Sequence, residues 1–568
     1  MNNKILKSMT KYQCIAILLF CSFRISATSL YISTTGNDTN DGSVNKPFAS
    51  LIMADSMALP GDTVFIRGGI YYPAQQIHLY HGGTSGKFIT FLAYPGELPV
   101  FDFSRCTIGP AVGTPPYPVD YGAITIDTTQ YIHIEGIKVQ NAACAGIESR
   151  GSIQVQIVRC QTFITVESGV SAWESDSVIL DGNTIDSANY TTGAMEAISV
   201  SQTTNFVVSN NELKNCFKEG IDTKESDHHG KVINNYIHDL VRQGLYIDGW
   251  DEYLTDIEEY GNIVTRCMYG LAVSCELAGG IVDTVSFHHN VMYNLDRTGI
   301  DFTNWGSTYD DGMRANVHIY NNTVFDNGYR RVDAGGSPHG GLLIECHNIP
   351  NTVIENNIFA FNCSFCYATK DTTPLSSLVV QYNLLADYNN SHDNLLRYTD
   401  SLHNTISYFP YGFGVTYAMH GTNEVIGKAM FVDSIHGNFH LQSTSAAINQ
   451  GNPAPAFNDS DGLRNSIGAF QYHFATNLSP DLMNPSGILI QVYPNPVSGG
   501  PFELLINGFD NLSTVNVKIY NASGQIVYQQ KITGNHVLNM SGSQFGNGIY
   551  FVEANNNVLS GLGKFIVE

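Results

Sequence analysis

Eight five-residue segments, led by Gly and once by Ala, recur through the middle of the chain. They are GIESR (146–150), GVSAW (169–173), AISVS (197–201), GIDTK (220–224), GLYID (244–248), GLAVS (270–274), GIDFT (299–303) and GLLIE (341–345). Successive starts are separated by 23, 28, 23, 24, 26, 29 and 42 residues. Self-similarity at such a period marks a chain that stacks one supersecondary unit on the next. A second motif runs out of phase with the first: Asn183, Asn211, Asn235, Asn262, Asn290, Asn322 and Asn357 each enter a short β-branched strand. One strand–turn–strand coil per period, with Asn side chains stacked from coil to coil, is what a right-handed parallel β-helix requires, because its turns must satisfy their own backbone groups. Competing periodic folds fit poorly. Helical solenoids place apolar residues near period 3.6, whereas these segments alternate at period 2, and propeller blades run ~40–45 residues.

The ends of the chain read differently. Residues 1–27 carry Lys4, Lys7 and Lys11, then an apolar run from Cys14 to Phe23, then Ser26-Ala27, the order of a secretory signal peptide cleaved near Ala27. The run is about half the ~20 residues that a membrane-spanning helix needs, so no membrane span is expected after its removal. Eleven cysteines include Cys14 and Cys21 in that leader, which leaves nine. Cys144, Cys160, Cys216 and Cys267 precede predicted turns and are expected as small buried thiols; Cys363 and Cys366 form a CxxC pair expected as a local disulfide. The helical stretch within 30–72 is expected to cap the open edge of the β-helix. The expected organisation is therefore a signal peptide (1–27), a capped β-helix (28–475), a linker (476–489) and a small C-terminal β-sandwich (490–568).

With 14% charged residues and a formal net charge of -23, the chain lacks the clustered cations that nucleic acid or an anionic membrane demands. It suits a neutral saccharide, or an acidic one bridged by Ca2+. Within each Gly-led segment the first and third following residues are mostly apolar, so the second and fourth point outward. Two outward columns follow, one through Glu148, Ser171, Ser199, Asp222, Tyr246, Ala272, Asp301 and Leu343, the other through Arg150, Trp173, Ser201, Lys224, Asp248, Ser274, Thr303 and Glu345. Coils lie ~4.8 Å apart. Asp222, Lys224, Asp248, Asp301 and, just beyond Ser274, Glu276 therefore gather on one face, where crowding shifts pKa values and separates acid from base roles. All three tryptophans, Trp173, Trp250 and Trp305, fall at or just after these segments. With Tyr246 and Glu345 they are the candidate substrate-binding groups, since a sugar packs its apolar face on an aromatic ring and gives its hydroxyls to acids.

Three resemblances extend this reading. VYPNP (492–496), IYNASGQ, GIYFV and the terminal KFIVE resemble the C-terminal sorting domain of the type IX secretion system, which implies that the secretion machinery is a partner and that the protein is secreted or held at the outer cell surface. GLYIDGWDEY (244–253) followed by SCELAGG (274–280) resembles the segments that carry nucleophile and acid/base in β-helix glycosidases of glycoside hydrolase family 120, which implies Asp248 as nucleophile and Glu276 as acid/base. Glu276 lies two residues past the in-register position, so register alone does not set the ~5–5.5 Å carboxylate separation of a retaining enzyme. Segment 30–72 also resembles polysaccharide lyase family 9. That alternative implies Lys224 as the base abstracting the C5 proton of a uronic acid, with Ca2+ as the one candidate cofactor, although the family's clustered Ca2+-binding aspartates are not recognisable. The leading expectation is a monomeric glycoside hydrolase acting on a plant or algal polysaccharide or its oligomers. A lyase is the second, and a non-catalytic glycan-binding surface protein or adhesin the third.

Overall fold

A computed structural model describes residues 27–106, 122–190, 195–303, 312–328, 339–386 apart from 364 and 370–376, 417–472 apart from 419, 420 and 461, and 489–567 apart from short gaps. The signal peptide expected over 1–27 lies outside them except for its last residue. Two compact units divide the chain at Tyr472 and His473.

The first unit is a parallel β-helix of three sheets. Two contain thirteen strands and the third twelve, and in each sheet neighbouring strands come from successive coils. The Gly-led segments form consecutive strands of the twelve-stranded sheet, paired in parallel from Ile147–Arg150 to Leu342–Ile344. Inward positions are almost wholly aliphatic: Ile147, Val170, Ile198, Ile221, Leu245, Leu271, Ile300 and Leu342 form one fully buried stack. Each such side chain contributes about 1.5–3 kcal/mol by leaving water.

The Asn motif forms a ladder at one corner. Asn235 Oδ1 accepts from Asn211 N at 2.9 Å and Asn211 Nδ2 at 3.0 Å, and Asn262 Oδ1 accepts both Asn235 donors at 2.9 Å. The same exchange continues through Asn290, Asn322 and Asn357, and reaches an eighth rung at Asn383 that the sequence reading did not include. The residue before each rung is left-handed, with φ of 66° at Gly182, 55° at Asn210 and Asn234, and 70° at Gly261. Gly and Asn tolerate that conformation best, which explains the GN and NN dipeptides.

The helix Leu51–Met57, N-capped by Ser50 onto Met53 N at 3.1 Å, buries Leu51 and Ala54 against the first coils, as the expected cap does. Cys144, Cys160, Cys216 and Cys267 are buried thiols, as expected. Cys363 and Cys366 are thiols as well, which corrects the expected disulfide; Cys366 is buried in the apolar core, where packing accounts for it.

The second unit is an antiparallel β-fold. Leu489–Tyr493, Pro501–Asn507 and His536–Ser541 form a three-stranded sheet, and Ile526–Thr533, Thr514–Asn521, Gly548–Asn555 and Ser560–Val567 a four-stranded one. They share a core that includes Leu504, Val517, Ile519, Val552 and Phe565.

Candidate active site

The two outward columns pair in the register that the spacing implies. Ser199 lies beside Asp222, Asp222 beside Tyr246, Tyr246 beside Ala272 and Ala272 beside Asp301; Trp173, Ser201, Lys224, Asp248 and Ser274 follow one another in the second column. These residues point away from the core yet are not exposed. Asp222 and Asp301 are 1% accessible, Asp248 2%, Tyr246 4% and Lys224 9%. Polar side chains from the flanking turns close over them.

Three of those covering residues escaped the sequence reading. Glu196 Oε2 lies 2.6 Å from Lys224 Nζ and accepts from the Ser199 hydroxyl, while Lys218 Nζ is 3.8 Å from Glu196 and 3.6 Å from Glu219. Glu196 directly precedes the AISVS segment and Glu219 directly precedes Gly220. Treating the residue before each Gly as a third column would have found both, together with Gln243 and Tyr269.

Lys224 is held from two sides, by Glu196 and, at 3.5 Å, by Asp222 Oδ2. Burial opposes its charge, but these two carboxylates overcome it and raise the ammonium pKa above its ordinary value. Glu196 is pushed up by burial and pulled down further by Lys224 and Lys218, so it stays a carboxylate below the usual range. Asp222 is driven well above that range by burial and by Glu196, and its buried Oδ1 has no hydrogen-bond partner among the described residues.

One coil further, Asp248 Oδ1 accepts the backbone N–H of Trp250 at 2.9 Å and of Glu276 at 3.4 Å. Burial and then the Glu276 charge push the Asp248 carboxyl up to about 7. The Tyr246 hydroxyl donates to Glu276 Oε1. Burial, Asp248 and Glu276 hold that phenol well above its usual pKa, so it remains a donor.

The other candidates are distributed around this centre. Trp250 is 41% exposed and left-handed, with φ of 45°, beside Asp248. Trp173 has Lys224 Nζ 5.4 Å and the Arg150 guanidinium 5.7 Å from its ring centroid, which makes it a seat for cations. Asp301 and Glu345 stand on later coils around Tyr269, whose hydroxyl accepts from Arg297 at 2.8 Å; they are not brought to Asp248. Trp305 lies outside the described residues. Among those residues no group of three or more His, Cys, Asp or Glu side chains is arranged to hold a metal ion, and Lys224, Lys218 and Arg242 already engage Glu196, Asp222 and Glu219. The described residues therefore do not fit the Ca2+ site considered from the sequence.

Residues 30–330 match the Pel9A-like, right handed beta helix region. The chain belongs to the Pel9A-like β-helix family. The uncharacterized protein YwoF of Bacillus subtilis (strain 168) is 25% identical over 400 residues, 63% of this chain and 80% of that protein. Pectate lyase PEL9 of Emericella nidulans is 26% identical over 159 residues, 28% of this chain but only 38% of that enzyme. Among solved structures, pectate lyase Pel9A superposes with a TM-score of 0.42 at 15% identity over 79% of this chain and 98% of that one. The family 28 exopolygalacturonase of Yersinia enterocolitica gives 0.45 at 13% identity over 64% and 78%. The family-model match and the pectate lyase relative relate this unit to carbohydrate-active β-helices. Residues 491–568 match the secretion system C-terminal sorting domain, which assigns the protein to type IX export and to the cell surface or beyond. Among the described residues no helix is long and apolar enough to cross a membrane.

Proposed function

We propose that the protein is an exported glycoside hydrolase that cleaves a polysaccharide or its oligomers between Asp248 and Glu276. The observation that carries this reading is the inequality of the two neighbouring carboxyls. Asp248, buried and repelled by Glu276, retains a proton near neutrality, whereas Glu276 accepts a hydrogen bond from Tyr246 and lies in a less buried turn. Two adjacent acids with unlike environments divide the labour of glycosidic cleavage. Asp248 gives its proton to the glycosidic oxygen, the C1–O bond breaks with its electron pair moving to that oxygen, and Glu276 stabilises or captures the positive charge left at C1. Water then completes the hydrolysis. This reverses the roles that the glycosidase resemblance implies for the same two residues. Trp250, exposed beside Asp248, supplies a face for the sugar ring.

Elimination is the second reading, favoured by the position of Lys224 in register with Asp248 and by relatives named as pectate lyases. Its base must be a neutral amine, and Lys224 sits 2.6 Å from a carboxylate that keeps it protonated. A panel of polysaccharides separates the two. Hydrolysis releases reducing ends without ultraviolet absorbance and is lost in Asp248→Asn and Glu276→Gln. Unsaturated, absorbing products that vanish in Lys224→Ala would instead establish elimination. Binding to glycans with no product from any of them would leave the adhesin reading.

A further inference from the structure

The charge around the cleavage centre restricts the substrate. Five carboxyl groups, Glu196, Glu219, Asp222, Asp248 and Glu276, come together over four successive coils of the face. Three cations stand among them, and each already has a carboxylate partner: Lys224 with Glu196 and Asp222, Lys218 with Glu196 and Glu219, and Arg242 with Glu219 at 2.7 Å. Upstream, the Arg150 guanidinium is taken by Glu148 at 2.7 Å. With Asp222 and Asp248 held towards their protonated forms by burial, the three cations balance the remaining carboxylates, so no positive charge is left over for an incoming anion; the formal charge of the whole chain is -23. A sugar carboxylate entering here adds a further negative charge to a partly desolvated acidic cluster, and must strip a cation from an existing ion pair to be neutralised. Hydroxyl groups meet no such penalty. A carboxyl oxygen that carries no proton has lone pairs that take sugar O–H donors directly, whether or not the group is ionised. Asp222 Oδ1, buried and without a hydrogen-bond partner among the described residues, is one such acceptor. The exposed Trp250 indole suits the apolar face of an uncharged ring.

We propose that the saccharide units bound between Asp222 and Glu276 are uncharged, and that the substrate is a neutral polysaccharide rather than a uronate polymer. This rests on the reading of that face as the site of cleavage. It sets the protein apart from relatives whose names specify pectate.

Matched polymers that differ only in charge provide the test. Full-length Glu276→Gln protein, shown to be folded by circular dichroism, is titrated with fully methyl-esterified and de-esterified homogalacturonan, and with neutral xylan, glucan, mannan, galactan and arabinan. The expected result is that the tightest ligand is uncharged, that it binds at least tenfold better than a carboxylated polymer of the same backbone, and that added salt narrows the gap by screening repulsion. Tighter binding of any uronate polymer, or failure of every neutral polymer to bind, overturns the proposal. Wild-type product analysis keeps the two readings apart. A neutral polymer bound without release of reducing ends removes the hydrolase reading alone. A uronate polymer cleaved to plain reducing ends removes the neutral-substrate proposal alone.

Discussion

The Tyr246 hydroxyl reaches across one coil to Glu276 Oε1 and fixes the side chain of a residue whose backbone N–H donates to Asp248 Oδ1 at 3.4 Å. Tyr246 stands in the outward column among the candidate sugar-binding groups, yet its hydroxyl is committed to Glu276, so under the proposed mechanism it is a positioning residue. Tyr246→Phe removes one hydrogen bond to a charged group, equivalent to about a ten- to hundredfold loss in kcat. KM should change little. A fall in affinity with kcat intact would show that the hydroxyl instead contacts the sugar.

Under the proposed mechanism, activity and stability depend on the same proton of Asp248. Its carboxyl titrates at about 7 in the folded protein, above the ordinary carboxylate value, because of burial and then Glu276. As a proton donor it should impose a kcat limb that falls as pH rises through about 7. The folded state prefers the protonated form, so this residue's contribution to stability is complete below the unfolded carboxyl pKa and is lost as pH climbs to about 7. Asp248→Asn should lower turnover by roughly 10²–10⁴ while raising the unfolding temperature at pH 8. Loss of both activity and stability at pH 8 would contradict the assignment.

Glu259 offers a separate pH effect far from any catalytic chemistry. It is fully buried in the β-helix interior, in register between Val232 and Phe287, and neither carboxyl oxygen has a partner among the described residues. Burial alone raises its pKa to about 8. Stability should therefore decline between the unfolded carboxyl pKa and about 8, and Glu259→Gln should flatten that decline by a few kcal/mol at alkaline pH. Parallel pH–stability curves for the two proteins would show that Glu259 finds a partner.

Asn262 occupies the middle of the ladder. Asn262→Ala removes the buried acceptor of the Asn235 N–H and the side-chain donor to the Val232 carbonyl, and takes one of two bonds each from the Asn235 side-chain amide and Asn290 Oδ1. The expected cost is about 3 kcal/mol, from groups desolvated without partners, read as a lower denaturant midpoint. Activity measured well below the transition should persist, since the ladder lies at a different corner from Asp248.

The coil architecture was legible because a solenoid writes its structure locally. Each Gly-led segment and each Asn rung announces one strand or one corner, and register follows from counting. The acids within those segments, Asp222 and Asp248, were legible for the same reason. Glu196 and Glu219 were not, since both lie outside the strands, where no alternation marks a side chain's direction. Burial was also hidden. Outward orientation along a strand is a property of backbone geometry, whereas cover comes from turns that meet only in three dimensions, and it is cover that sets the Asp248 proton affinity. The fate of the CxxC pair was similarly invisible, because spacing reports proximity along the chain but not whether a buried thiol is satisfied by packing.

The register of the twelve-stranded sheet has a consequence for how such a site can change over time. Each coil lays one side chain into every column, so the acidic face is a surface assembled in equal increments along the axis. A whole coil gained or lost lengthens or shortens it by one increment and leaves every other residue at its angle. A gain or loss of one residue within a strand reverses the inside and outside of that coil and breaks the stack. Variation in this architecture therefore passes through complete coils and through turns such as those carrying Glu196 and Glu276, while the strands between them stay fixed in length.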